Sequence, residues 1–199
     1  MKVMKQTMKI IPETGAILIE DDKKILVVSD LHLDDDNDDV KVIIKELKKL
    51  ISKYSPKILL VTGDMFNFGN GAGSIDFLEK ELSKLVKIQV VVGNHDLVIY
   101  PFFLVSDNYC FCHGDQDFGI EDKFLIMGHT HPFLNNKRVF LQGELKDGRK
   151  FMILPTFNTN LGGQDVKKEK NSLFGFVFEN KLIKNCDILN LAGEKIGEL

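Results

Sequence analysis

At 199 residues with 44% apolar side chains, the chain can bury a substantial core, so a largely disordered protein is excluded and one domain over residues 1–199 is expected. Lysine and arginine total 26 against 29 acidic residues, a formal net charge of −3, which argues against gripping nucleic acid through a broad basic face. No apolar run reaches the length of a membrane span, and MKVMKQTMKIIPETG lacks the apolar stretch of a signal peptide. The sparse cysteines, Cys110, Cys112 and Cys186, form no CxxC, which suggests reduced thiols and a cytoplasmic protein.

In chain order, KILVVSD (24–30) is a continuous β-branched run, the pattern of a buried strand. Val40, Ile43, Ile44, Leu47, Leu50, Ile51 and Tyr54 then follow one-sided helical spacing, stopped by Ser55-Pro56. KILLVTGD (57–64) predicts a second strand. A helix capped by Ser74 is expected through Leu78, Leu82 and Leu85, and KIQVVVGNHD (87–96) predicts a third strand. This β-α-β-α-β order implies a parallel sheet covered by helices. LVIYPFFLV (97–105) is short and apolar enough to be a strand or a helix; the core is its expected place, with an apolar rim that receives a partner or a base as the alternative. The remainder, YCFCHGD, FLIMGHTH, RVFLQGELKDGRKFMILPTFN and SLFGFVFENKLIKNCDIL, reads as consecutive strands, with turns at Lys146–Arg149 and Glu179–Lys181. On strand spacing Cys110 and Cys112 share one face, as two small core residues. The fold class expected is α/β, two packed sheets with helices outside.

All five histidines fall at the ends of these strands. Asp30 and His32 follow the first, Asp64 the second, and Asn94, His95 and Asp96 the third. His113 ends YCFC, and His129 and His131 end FLIM. A lone histidine on an apolar strand is ordinarily a satisfied core or edge residue, and GNHD alone could be a turn. Five in the same topological position, at the strand ends where α/β sheets bind ligands, point instead to one site. Carboxylate, amide and imidazole donors without thiolate suit manganese first, with zinc, iron, cobalt or nickel as alternatives. Seven donors exceed one tetrahedral zinc but suit two ions sharing a carboxylate, an arrangement able to stabilise both oxygens of a phosphoryl displacement.

The ordered blocks DLH, GD, GNHD, HG and GHTH, between Ser29 and His131, resemble the signature of the calcineurin-like metallophosphoesterase superfamily. The resemblance implies a four-layer α/β/β/α fold of two mixed sheets; the larger nucleases of this kind carry a capping domain, which is not expected in 199 residues. It implies that Asp30, His32 and His131 hold one divalent ion, that Asp64 bridges, and that Asn94, His113 and His129 hold the second. His129 and His131 would face the two ions from an extended segment. An ion-bridging hydroxide would attack phosphorus, His95 would assist the leaving oxygen, and Asp96 would orient the His95 ring. ILPTFNTNLGGQDV (153–166) is further similar to small archaeal SbcD-related phosphoesterases and their bacterial relatives associated with DNA ligase. The substrate implied is a phosphodiester, in nucleic acid or a nucleotide, with a small-molecule nucleotide phosphatase as the alternative.

Asn67 departs from the family pattern, standing where many members carry Asp. Residues 66–74 are expected to form a rim or a turn, and Asp34–Asp39 a solvated helix start favoured by the helix dipole. A non-catalytic module in a DNA repair complex is the reading from another class. Beyond the phosphoester, a homodimer or a repair-protein partner is left open.

Overall fold

The computed structural model describes residues 7–20, 23–34, 38–67, 72–96 and 99–199. An antiparallel meander, β1 (Thr7–Ile11), β2 (Ala16–Glu20) and β3 (Lys24–Val28), leads into α1 (Asp38–Tyr54), β4 (Ile58–Thr62), α2 (Ala72–Leu82) and β5 (Lys87–Val91). These strands form one sheet of order β1-β2-β3-β4-β5, in which β3, β4 and β5 run parallel. Next come β6 (Phe103–Val105), β7 (Tyr109–Cys112), β8 (Phe124–Met127), β9 (Pro132–Leu134), β10 (Lys137–Arg138), β11 (Phe140–Leu145) and β12 (Lys150–Ile153). Last are β13 (Gln164–Asp165), α3 (Phe176–Glu179), β14 (Ile183–Leu189) and β15 (Lys195–Glu198). The second sheet has the order β15-β14-β11-β12-β8-β7-β6, with β7, β8 and β12 parallel, while β9 pairs with β10 and β13 in a small separate sheet. The class is the α/β architecture of two mixed sheets flanked by helices that the sequence implies.

The period of two along each strand builds the layers. Ile17, Ile19, Val27 and Leu60 meet Phe111, Ile126, Phe140 and Met152 between the sheets. The alternate residues Leu18, Leu26, Val28, Leu59 and Val61 pack under the apolar face of α1, from Val40 to Ile51. Fully burying side chains of this size stabilises by about 1.5–3 kcal/mol each. Cys110 and Cys112 lie together on the outer face of the second sheet, in the cluster that includes Phe176 and Val177 of α3, and Cys186 is buried there as well. Helix α1 ends where its periodicity does: Ser55 takes a left-handed φ of 48°, its N–H bonds Ile51 O at 2.8 Å, and Pro56 cannot continue the helix.

Three local expectations change. Helix α2 begins at Ala72, so Ser74 lies inside it, and the helix stops at Leu82, leaving Leu85 in a turn and exposed. SLFGFVFE is not a strand. Gly175 turns the chain at φ 110°, the Phe176 N–H bonds Gly114 O at 3.0 Å, and Phe176–Glu179 closes one helical turn despite its β-prone residues. In the segment 97–105, of which 97 and 98 lie outside the described residues, β6 is an edge strand, and Ile99, Phe102 and Val105 are exposed rather than core. Within the two loops read from sequence, residues 35–37 and 68–71 also lie outside the described residues. Among the described residues no helix is long and apolar enough to cross a membrane.

Candidate metal centre

The parallel strands of both sheets end at one common edge. Asp30 and His32 follow β3, Asp64 follows β4, and Asn94 and His95 follow β5; His113 follows β7, and His129 and His131 follow β8. The loops after β3 and β4 stay zipped beyond the sheet: Asp30 N–H bonds Gly63 O at 3.2 Å, His32 N–H bonds Asp64 O at 2.9 Å, and Leu33 bridges Phe66. That pairing carries the two carboxylates forward side by side.

Each of three overlapping groups brings its ligand atoms within 4.8 Å of one another: Asp30, His32 and His131; His32, Asp64 and His95; Asp64, His113 and His129. His131 Nε2 lies 3.2 Å from Asp30 Oδ1 and 3.3 Å from His32 Nε2. Asp64 Oδ2 lies 3.5 Å from His32 Nε2, 3.3 Å from His113 Nε2 and 4.0 Å from His95 Nε2. His113 Nε2 is 3.0 Å from Asn94 Oδ1 and 3.1 Å from His129 Nδ1. All seven proposed donors and His95 are therefore brought into one constellation.

The backbone reaches this arrangement at a cost. Asp30, His32, Asp64, His129 and His131 all have φ between 43° and 68°, the left-handed region that side chains other than glycine seldom enter. Each such residue costs of order 1–3 kcal/mol unless its surroundings fix it, and such strain clusters at functional sites. GHTH is accordingly bent rather than extended. Thr130 N–H closes back on Gly128 O at 2.8 Å, and this bend sends His129 to one group and His131 to the other. Three glycines of the site are demanded by close approach: a Cβ on Gly93 would overlap the Asp64 carboxylate, one on Gly63, at φ 90°, the His113 ring, and one on Gly128 the Ser29 hydroxyl and the Asp30 carboxylate.

The donor set fits divalent cations. His113 Nδ1 lies 3.1 Å from the Thr62 carbonyl, which only accepts, so that nitrogen carries the proton and Nε2 turns a lone pair toward Asp64 and Asn94. Lone pairs meeting at this range require a cation among them. In the bare protein a proton serves: burial opposes it, but the Asp64 hydrogen bond and the charges of Asp30 and Asp64 lift His113 to about 9. Burial likewise opposes protonation of His131, yet Asp30 raises it. Burial lowers His32, and burial together with the His113 charge lowers His129. Asp30 and Asp64 stay below the ordinary carboxylate range despite burial, held there chiefly by His131 and His113 respectively. Overlapping Asp/His groups of this kind suit a dinuclear centre.

Several supporting contacts come from residues whose motifs stand out in the sequence but whose contacts do not. Thr156 Oγ1 donates to Asp30 O at 2.8 Å, Asn158 Nδ2 to Leu31 O at 3.1 Å, and Phe157 N–H to Ser29 O at 2.8 Å, tying the end of β12 beneath the first loop. His129 N–H donates to Asp30 Oδ1 at 3.2 Å, and His95 N–H to Asp64 Oδ1 at 3.0 Å. Both oxygens of Asp96 accept backbone N–H groups, from Gly93 at 2.8 Å and Phe66 at 3.0 Å. Through these two bonds Asp96 acts on the loop that carries His95. Asn67 Nδ2 donates to Asp34 at 2.9 Å, joining the first two site loops.

Stacked mixed sheets with Asp/His groups at their shared carboxyl edge make an α/β protein with a candidate dinuclear metal centre. Residues 23–189 match the family model described as Calcineurin-like phosphoesterase, and the chain belongs to that family. It is a metal-dependent phosphoesterase. Its fold is similar to that of the nuclease MPE of Pseudomonas putida, with a TM-score of 0.57 and 19% identity over 81% of this chain and 90% of that one. The phosphoesterase Yfce of E. coli aligns with a TM-score of 0.49 and 14% identity, covering 88% of this chain and 97% of that one. No curated protein matches the chain.

Proposed function

We propose that the protein hydrolyses phosphodiester bonds in nucleic acid or a nucleotide. Asp30, His32 and His131 would hold one ion, and Asn94, His113 and His129 a second. Asp64 is shared, with manganese the favoured metal. The observation that carries the ligand assignment is the position of Asp64 Oδ2, within 3.5 Å of both His32 Nε2 and His113 Nε2, one from each trio. Bound there, divalent cations supply Lewis-acid stabilisation of the phosphoryl oxygens and lower the pKa of the attacking water. His95 stands at the Asp64 side of the same edge, and its role is to protonate or charge-stabilise the departing oxygen. Asp96 keeps that loop in register through Gly93 and Phe66.

The diester preference is supported by the ILPTFNTNLGGQDV likeness to SbcD-related phosphoesterases and by the nuclease with a similar fold. We read the described residues as one domain. The test is turnover of a phosphodiester and of its matched phosphomonoester by manganese-loaded protein. Diester hydrolysis, abolished by chelator and restored by manganese, is expected. Monoester hydrolysis alone would leave the nucleotide-phosphatase reading standing instead.

A further inference from the structure

Phe174 is exposed over 57% of its surface, yet its ring lies against His129, with centroids 6.4 Å apart and planes at 51°. Of the exposed large apolar side chains among the described residues, it is the one recorded in ring contact with a metal-centre imidazole. The loop beneath it is fixed at both peptide groups. Thr130 Oγ1, within GHTH itself, donates to Phe174 O at 2.9 Å, and Phe174 N–H donates to Gln164 Oε1 at 2.7 Å. Gln164 is held in turn, its Nε2 donating to Ser172 O at 2.9 Å and its N–H to His131 O at 3.1 Å. Flanking residues lock the same position: Leu173 is buried in the outer core, and a Cβ on Gly175 would meet Gly114 O, Thr130 Oγ1 and His129. An apolar ring merely left over at a surface has no need of such a mount. This one is presented to solvent, in fixed register with His129, at the rim of the edge where phosphoryl chemistry takes place.

We infer that Phe174 is a stacking platform for the nucleobase next to the scissile phosphate, which makes an unpaired, base-bearing phosphodiester the substrate class. The inference rests on the phosphodiester reading and narrows it. An aromatic face offers every base a π-surface, so the platform favours single-stranded over base-free substrates without selecting a sequence. A fully paired duplex buries its base faces in its own stack and gains nothing from it. The ring acts on substrate binding and leaves the bond-breaking groups to the metal-centre edge, so its loss is read mainly in KM.

The experiment compares manganese-loaded parent, Phe174→Ala, Phe174→Leu and Phe174→Trp on a single-stranded oligothymidylate and on an abasic oligomer of equal length and charge. Binding of both is measured alongside by titration calorimetry. In Phe174→Ala the ratio of kcat/KM for the base-bearing over the abasic substrate should fall about 5- to 150-fold, the span for losing one base–aromatic stack. Phe174→Trp should restore the ratio, whereas Phe174→Leu, apolar but without a π-face, should not. A ratio that stays at the parent value in Phe174→Ala, or a Leu variant equal to the parent, overturns the platform. Equal loss on both substrates does the same, because it marks general damage to the loop. If neither substrate is turned over but the parent binds the base-bearing oligomer more tightly through Phe174, the platform stands and the phosphodiesterase reading fails. If both are hydrolysed without base dependence, the reverse holds.

Discussion

Asp64 Oδ2 and His113 Nε2 lie 3.3 Å apart although the residues follow strands of different sheets, β4 and β7. This pair joins the two halves of the centre, so Asp64→Ala should cost more than one ligand of one ion. The bound manganese should fall from two per chain toward none, and diester turnover should be lost. Elemental analysis and activity on the same preparation check this. Retention of both ions by the variant would show that Asp64 is not shared.

Metal binding should compete with protons. His113 is lifted to about 9 when protonated beside Asp64, and a cation binding at Nε2 must displace that proton. Apparent metal affinity should therefore climb as pH rises from 7 toward 9, by up to about tenfold per pH unit for each proton displaced, and level off above it. Calorimetric titrations of manganese at pH 7 in buffers of different ionisation enthalpy should report net proton release. An affinity that is flat over this range would show that His113 does not take part.

His95→Ala should keep its metals and slow hydrolysis about 10²–10⁴-fold, the range for a general acid or base. The loss should shrink for substrates whose leaving oxygen needs no proton, such as a nitrophenolate. Metal content together with rates across leaving groups of graded pKa would test it. A uniform loss over the series would assign His95 to binding or to the loop rather than to the leaving group.

How much of this was legible depended on range. Strands β3, β4 and β5 announce themselves as short runs rich in Ile, Leu and Val, and each closes on a polar cluster, so Asp30, Asp64 and Asn94 could be placed at one edge. The five histidines could be grouped because each ends a run. The left-handed backbone at Asp30 and His129 has no such sign, since neither is a glycine and only the packed loops hold them there. Helix α3 was hidden because FVFE is β-prone and a single turn is too short for periodicity to oppose it. Residues 99–105 divide between the two placements: Tyr100, Phe103 and Leu104 pack against the core while Ile99, Phe102 and Val105 face solvent, because a short apolar run looks alike in a core and along an edge strand. Gln164, Thr130 and Phe174, which fix the rim, are tied only through tertiary hydrogen bonds.

Thr156 tests whether the support under the first loop matters as much as the ligands above it. Its hydroxyl is fully buried and bonds the backbone oxygens of both Asp30 and Asn158, at 2.8 and 3.2 Å. The single hydroxyl proton is shared unevenly between these two acceptors, and the shorter contact, to Asp30, is the stronger. Thr156→Val keeps the volume and removes the donor, leaving a buried carbonyl unpaired at a cost of about 1–3 kcal/mol. For a chain of this size that is a fall in Tm of roughly 2–12 °C. Asp30 would then hold its left-handed turn with less support, so manganese affinity should drop along with stability although no ligand is altered. Thr156→Ser, which keeps the donor, should recover most of the affinity. Thermal melts and metal titrations of the two variants separate a positioning role from simple loss of packing, which would lower Tm in both and leave affinity at the parent value.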